Sequence, residues 1–142
     1  MESHQFVEGS SEIEKRIEIN GHETFYSERN RITMIFTNLI SSAIKYADFE
    51  KAKPFIDITI TISKEEAVVQ FVDNGIGIEE EHIGSIFNMF YRANTRSEGS
   101  GLGLFIFKET VTRLAGTVTV TSTVGRGTTF RITLPNLSSN LN

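Results

Sequence analysis

Apolar residues recur along this chain with two different periods, and the switches between them mark the elements. Ile13, Ile17 and Ile19 lie on one side of Glu12–Asn20, opposite Arg16, Glu18 and Asn20, which is the alternation of a half-buried strand. Asn20-Gly21 is a turn signal, and His22–Tyr26 reads as a short return strand. After Ser27, an N-cap candidate, Ile32, Ile35, Phe36, Leu39, Ile40, Ala43 and Ala47 recur at three and four. This spacing predicts a helix to about Ala47 with one face in the core. Phe55–Ile62 alternates Ile with Asp or Thr, Lys64-Glu65-Glu66 turns the chain, and Ala67–Val72 pairs back as an antiparallel hairpin. Glu79–Phe87 reads as a short helix with its glutamates at the positive end. Leu104, Phe107, Val111 and Leu114 give a second long helix, closed by Gly116 at C′. Thr117–Thr123 and Thr128–Leu134 form a hairpin around Gly125-Arg126-Gly127, and Pro135 stops the sheet.

Composition narrows the function classes. The 142 residues suit one domain, read as 12–136, with a linker or disordered stretch at 1–11 and a flexible tail at 137–142. A net charge of −4 gives no general basic field for nucleic acid or an anionic membrane, so any bound anion must be held locally. Cysteine is absent, which excludes disulfides and thiolate metal sites. No run approaches the roughly 18 apolar residues of a membrane span. The N-terminus lacks the basic and apolar regions of a signal peptide, and the chain reads as cytoplasmic and as a piece of a longer protein.

Candidate chemistry gathers at three places. Asp73-Asn74-Gly75-Ile76-Gly77 follows an apolar strand, so a carboxylate is delivered onto a loop whose glycines let a flat ligand approach the backbone. Alone this pattern is equally that of a strand-to-helix turn. On the first helix Asn38, Ser42 and Lys45 form a single polar line, with Tyr46 one turn beyond Ser42. Short polar oxygens and one ammonium suit a metal-phosphate group, although a solvated face is the plainer reading of the spacing. Gly99-Ser100-Gly101-Leu102-Gly103-Leu104 leads into the second helix, where free backbone amides and the helix dipole favour an anion. The run lacks the Lys-Ser/Thr ending of a P-loop. Between these, aromatic Ile86–Arg92 precedes polar Ala93–Gly99, the composition of a lid, while Phe87 itself reads as core.

Together these residues resemble the catalytic ATP-binding domain of two-component sensor histidine kinases. Asn38–Tyr46 resembles the asparagine box, Asp73–Gly77 the first glycine box and Ile86–Arg92 the phenylalanine box. Gly99–Leu104 resembles the second glycine box and Gly127-Thr128-Thr129-Phe130 the terminal Gly-Thr motif, all in family order. The resemblance implies an α/β fold, the two-layer Bergerat sandwich, with a mixed, mostly antiparallel sheet packed on one face by three helices. It implies ATP and Mg²⁺ as cofactors. Asp73 would accept from the adenine amine, with Thr128 in the same network and Ile76 and Tyr46 flanking the ring. Gly101, Leu102 and Gly103 would offer amides to the phosphates, beside Ser100. Lys45 would contact phosphate, Arg92 would reach it on lid closure, and Gly75, Gly77, Phe90 and Leu104 complete the nucleotide contacts. Asn38 and Lys45 are the implied catalytic residues, and Asn38 and Ser42 the implied metal ligands.

Two departures follow from the same comparison. The asparagine box usually carries a second, Mg²⁺-ligating asparagine where this chain has Ser42. His4, His22 and His82 lack the context of a phosphoacceptor, so the implied partner is a separate histidine phosphoacceptor and dimerisation domain, and indirectly a response regulator. No nucleic acid and no direct membrane contact are implied. Two other readings share the fold: a degenerate nucleotide- or partner-binding module, and an anti-sigma-type serine kinase.

Overall fold

The structure, a computed structural model, describes residues 13–51, 53–91 and 101–137. The sequence readings of 1–11, the lid at 93–99 and the tail beyond Leu137 lie outside these residues. Five strands form one sheet in the order β1-β2-β3-β5-β4. They are β1 (Glu14–Asn20), β2 (Phe55–Ile62), β3 (Glu66–Asp73), β4 (Thr117–Thr123) and β5 (Gly127–Pro135). Helices α1 (Arg29–Lys45) and α2 (Gly103–Arg113) join a 3-10 helix at Glu80–Ser85. β1 runs parallel to β2, and the other neighbouring pairs are antiparallel. The fold is the expected mixed α/β sheet with helices, and its third helix is a 3-10 helix.

Alternation puts Ile56 and Ile58 of β2, Val69 and Phe71 of β3, and Phe130, Ile132 and Leu134 of β5 on one buried face. Against it pack Ile35, Leu39, Ile40, Ala43 and Ile44 of α1 and Phe107 and Val111 of α2. Phe107 meets Phe130 edge-on, with ring centroids 5.8 Å apart, and Phe87 packs on both, so Phe87 is core as read. Ile58, Phe71, Phe130 and Val120 stand side by side across four strands. The next row in the same register is Ile56, Asp73, Thr128 and Ser122. The polar end of the core face is therefore set by strand pairing.

Several local readings are corrected. Ile17 and Ile19 share the face of Ile58 and Ile60 but are 54% and 62% exposed, because β1 is an edge strand that the helix layer does not cover. Only Ile13, just before β1, is buried. His22–Tyr26 forms no strand. Gly21 has φ +105°, and the segment after it is held by the Leu137 amide, which donates to the Tyr26 carbonyl (3.0 Å), and by one side chain. Asn136, 2% exposed, accepts from the Tyr26 amide (3.0 Å) and donates to the carbonyls of Thr24 and Ser63 (2.9 Å each). The α1 N-cap is Glu28, with no side-chain capping bond, where Ser27 was expected. At the end of α2 the left-handed residue is Ala115 (φ 60°), one place before Gly116, whose missing Cβ instead avoids the Thr133 carbonyl.

Asn136→Ala strands buried amide and carbonyl groups. It is expected to cost about 3 kcal/mol, read as a fall in thermal midpoint of several degrees. Amide exchange at Tyr26 should accelerate before that of β3 and β5.

Candidate functional site

Asp73 ends β3 on the same face as Val69 and Phe71, so its side chain points toward the apolar layer. Its Oδ1 accepts the Gly75 amide at 2.8 Å. Burial raises the carboxyl from the ordinary 3.8 to about 6, against the opposing pull of backbone hydrogen bonds from Gly75 and Thr128 and the nearby Lys51 ammonium. Lys51 also donates to the Asn74 carbonyl, and the Asn74 side chain ties the Phe55 amide (2.8 Å) to the Lys53 carbonyl (2.9 Å). The loop after Asp73 is thus fastened to the start of β2.

The same loop is pressed between α1 and the β4–β5 turn. The Ile76 amide donates to the Tyr46 carbonyl (3.1 Å), and the Ile76 carbonyl accepts from Gly125 (2.9 Å). A Cβ on Gly75 would lie 2.5 Å from the Tyr46 carbonyl oxygen. Gly77 has φ +80° and crosses the Thr123 carbonyl with no room for a side chain.

Asp73 floors a recess of about 510 Å³, counting the part open to solvent. Leu39, Ala43, Ile78, Ile86, Leu104 and Phe130 supply apolar walls, and Ser42, Tyr46, Gly77, Tyr91 and Thr128 complete the lining. A second, more polar recess is lined by Asn38, Ser41, Ser42, Lys45, Gly101 and Gly103. The two share Ser42, Tyr46, Ile86, Tyr91 and Leu104, so they adjoin along one seam. Asn38 donates its amide back to the Met34 carbonyl (2.8 Å), while its Oδ1 is 3.5 Å from where a Cβ on Gly103 would stand. That oxygen faces the start of α2. Among the described residues, the lining of the polar recess includes no carboxylate and no imidazole.

The expected residues divide as follows. Asn38, Ser42, Lys45, Tyr46, Asp73, Gly77, Gly101, Gly103, Leu104 and Thr128 converge on the two recesses. Gly75 and Ile76 hold the loop, and Ile78, two places on, lines the apolar recess where Ile76 was expected. Leu102 is the N-cap of α2. Phe90 is 65% exposed with φ 66°, and its amide donates to the Gly101 carbonyl (2.9 Å). Arg92 and Ser100 lie outside the described residues. Tyr91 was missed as a site residue. It lines both recesses, and its hydroxyl is buried without a hydrogen-bond partner. Ser122 was missed too, because a serine in an alternating strand carries no signal beyond its strand. Its Oγ contacts Thr128 Oγ1 at 2.8 Å. Among the described residues, Glu79, Glu81 and His82 are the group of ionisable side chains close enough to share a metal, on the exposed 3-10 helix. No described helix is long and apolar enough to cross a membrane.

Residues 27–138 match the family described as histidine kinase-, DNA gyrase B-, and HSP90-like ATPase. Over 114 residues, 76% of this chain, the sequence is 39% identical to the sensor protein SrrB of Staphylococcus aureus, of which it spans 19%. The structure of the mycobacterial sensor histidine kinase MprB aligns with a TM-score of 0.73 and 23% identity, over 88% of this chain and 84% of that one, a likeness of fold. Full-length ShkA, solved in complex with AMPPNP, aligns with a TM-score of 0.73 and 25% identity, over 87% of this chain and 25% of its own.

Removing the Lys51 charge with Lys51→Met should raise the Asp73 titration midpoint further above its ordinary value, because the ammonium is one of the groups holding it down. Carboxyl-carbon NMR across pH 4–8 reads this directly. An unmoved midpoint would leave Lys51 as a tether of the loop carbonyls alone.

Proposed function

The chain belongs to the histidine kinase-, DNA gyrase B-, and HSP90-like ATPase family, and on that footing we propose that it binds Mg-ATP across the two recesses and presents the γ-phosphoryl group to a histidine on a separate domain of a sensor kinase. One observation carries this reading: an apolar slot ending in a carboxylate opens directly into a polar recess lined, among the described residues, by neutral side chains and the Lys45 ammonium. A purine with an exocyclic amine satisfies the first, and a phosphate tail the second. The kinship with a named sensor protein favours this reading over an anti-sigma-type serine kinase.

Each side chain then has a physical task. Asp73 accepts from the adenine amine, and Tyr46, Ile78 and Leu104 supply apolar surface around the ring. Gly101 and Gly103, at the start of α2, bring backbone amides to the phosphates, and Lys45 brings a positive charge. The buried Tyr91 hydroxyl stands at the seam, where a bound nucleotide would give it the partner it lacks. Asn38 Oδ1 and the Ser42 hydroxyl are hard oxygen donors of the kind Mg²⁺ takes. Both are neutral and stand beside Lys45, so they fit a cation that arrives with the triphosphate better than a free ion. The metal would offset phosphate charge. Asn38 cannot take up a proton, and among the described residues no carboxylate or imidazole lines the recess beside it, so the site suits transfer to an external acceptor rather than activation of water. Catalysis by positioning and charge is what such a site offers.

Five measurements test the reading. Asp73→Asn should weaken ATP binding by tenfold or more in calorimetry, the size of a charge-assisted hydrogen bond. Its thermal midpoint without nucleotide should not fall at neutral pH. Because the folded carboxyl is raised from 3.8 to about 6, the stability linked to its protonation is full below pH 3.8 and lost as pH rises through about 6. A loss of stability in Asp73→Asn would mark a structural carboxylate. ATP affinity of the native chain should be level above pH 6 and fall as pH drops through it, since the protonated acid is a poorer acceptor. Ser42→Asn extends an oxygen deeper into the polar recess and should tighten Mg-ATP binding; equal or weaker affinity would show that Ser42 is no defect. Histidine phosphorylation is read by adding the parent's helical phosphoacceptor domain with labelled ATP and testing the product for acid lability.

A further inference from the structure

The row Asp73, Thr128 and Ser122 crosses three paired strands, and its hydroxyl protons can be placed by counting. Ser122 Oγ accepts the Ile78 amide at 2.7 Å. It lies 2.9 Å from the Gly127 carbonyl oxygen, which has no proton to give. A serine hydroxyl owns one proton. Spent on Gly127, that proton is unavailable to Thr128, so the 2.8 Å contact between Ser122 and Thr128 requires the Thr128 hydroxyl to donate. The opposite assignment would leave two oxygens 2.9 Å apart with no hydrogen between them. Thr128 therefore keeps only lone pairs for the recess it lines, and beside it stands Asp73, an acceptor when ionised.

We propose that Ser122 is a specificity-determining residue: by fixing the Thr128 hydroxyl as an acceptor toward the recess, it selects a base edge bearing an amine over one bearing a carbonyl. The inference rests on the nucleotide reading above and deepens it. Ser122 reaches no ligand itself and acts through Thr128. An exocyclic amine has two protons for a floor of acceptors. A carbonyl in the same place sets lone pair against lone pair and leaves the Asp73 carboxylate unpaired. Freed from Ser122, the Thr128 hydroxyl can rotate and donate to the carbonyl. The Ile78 amide, on the rim of the same recess, is held by the same serine oxygen, so base edge and loop are positioned by one atom.

The test compares ATP with inosine triphosphate, whose base carries a carbonyl for the amine and, with it, a proton on the neighbouring ring nitrogen. Calorimetry at pH 7.5 with Mg²⁺ should give the native chain a clear preference for ATP. Ser122→Ala should narrow the ratio of the two dissociation constants by about three- to tenfold, the range of one neutral hydrogen bond. Ser122→Thr, which keeps the hydroxyl, should preserve it. Thr128→Val should narrow the ratio by itself, and adding Ser122→Ala to it should change the ratio no further. Both ligands are measured on the same protein, so partial loss of fold cancels. If Ser122→Ala fails to fold, Thr128→Val still decides: a ratio equal to the native one in either variant overturns the proposal. A native chain that binds ATP and inosine triphosphate equally overturns it as well, while leaving nucleotide binding intact. A native chain that binds neither overturns the nucleotide reading itself.

Discussion

The structure turns on a carboxylate placed where an apolar side chain would otherwise belong. Strand pairing sets Asp73 one row beyond Phe71 and Phe130, on the face that the rest of the sheet gives to the core. Withdrawing a charge from water is unfavourable, and the carboxyl responds by holding its proton up to about pH 6. Two backbone amides and Lys51 offset part of that cost and leave the remainder for a ligand. A chain selected only for stability would have continued the aliphatic row. This one places Asp73, Thr128 and Ser122 in that row instead, the kind of departure expected at a functional site.

The surroundings of that carboxylate are arranged to hold it still. β3 is the middle strand, bonded to β2 on one side and β5 on the other. The loop beyond it is tied to α1 through Tyr46, to the β4–β5 turn through Gly125, and to the start of β2 through Asn74. The opposite wall comes from α1 and the start of α2, where Gly101 and Phe90 share a backbone bond on either side of residues 92–100. One wall of the site is therefore sheet, the other is helix ends, and the seam of shared residues runs between them.

Much of this was legible in the sequence, for reasons that are local. Period-two runs gave β2, β4 and β5, a short apolar run gave β3, and three-four spacing gave α1 and α2, because burial writes itself into neighbouring residues. Asp73, Thr128 and the polar line on α1 were read from resemblance and stand together in the structure. What was not legible depends on partners distant in the chain. The parallel pairing of β1 with β2 cannot be seen from β1, whose alternation is the same whether or not a helix covers it. Asn136 completes the backbone of residues more than a hundred positions earlier. Ser122 takes its contacts from β5 beside it and from the Ile78 amide of a distant loop, and Ile78 lines the recess in place of Ile76 because the loop turns at Gly77. Ala115, rather than Gly116, takes the left-handed turn because Gly116 is needed for clearance from Thr133.

The side chain of Asn38 has a consequence for how such a domain idles. Its amide is anchored to the turn behind it, and the described residues of the recess it borders include neither carboxylate nor imidazole. A triphosphate bound there, as proposed, would meet no described carboxylate or imidazole to pull a proton from an intruding solvent molecule. The loaded form would then be a standing reserve, discharged by encounter with an acceptor and not by the passage of time.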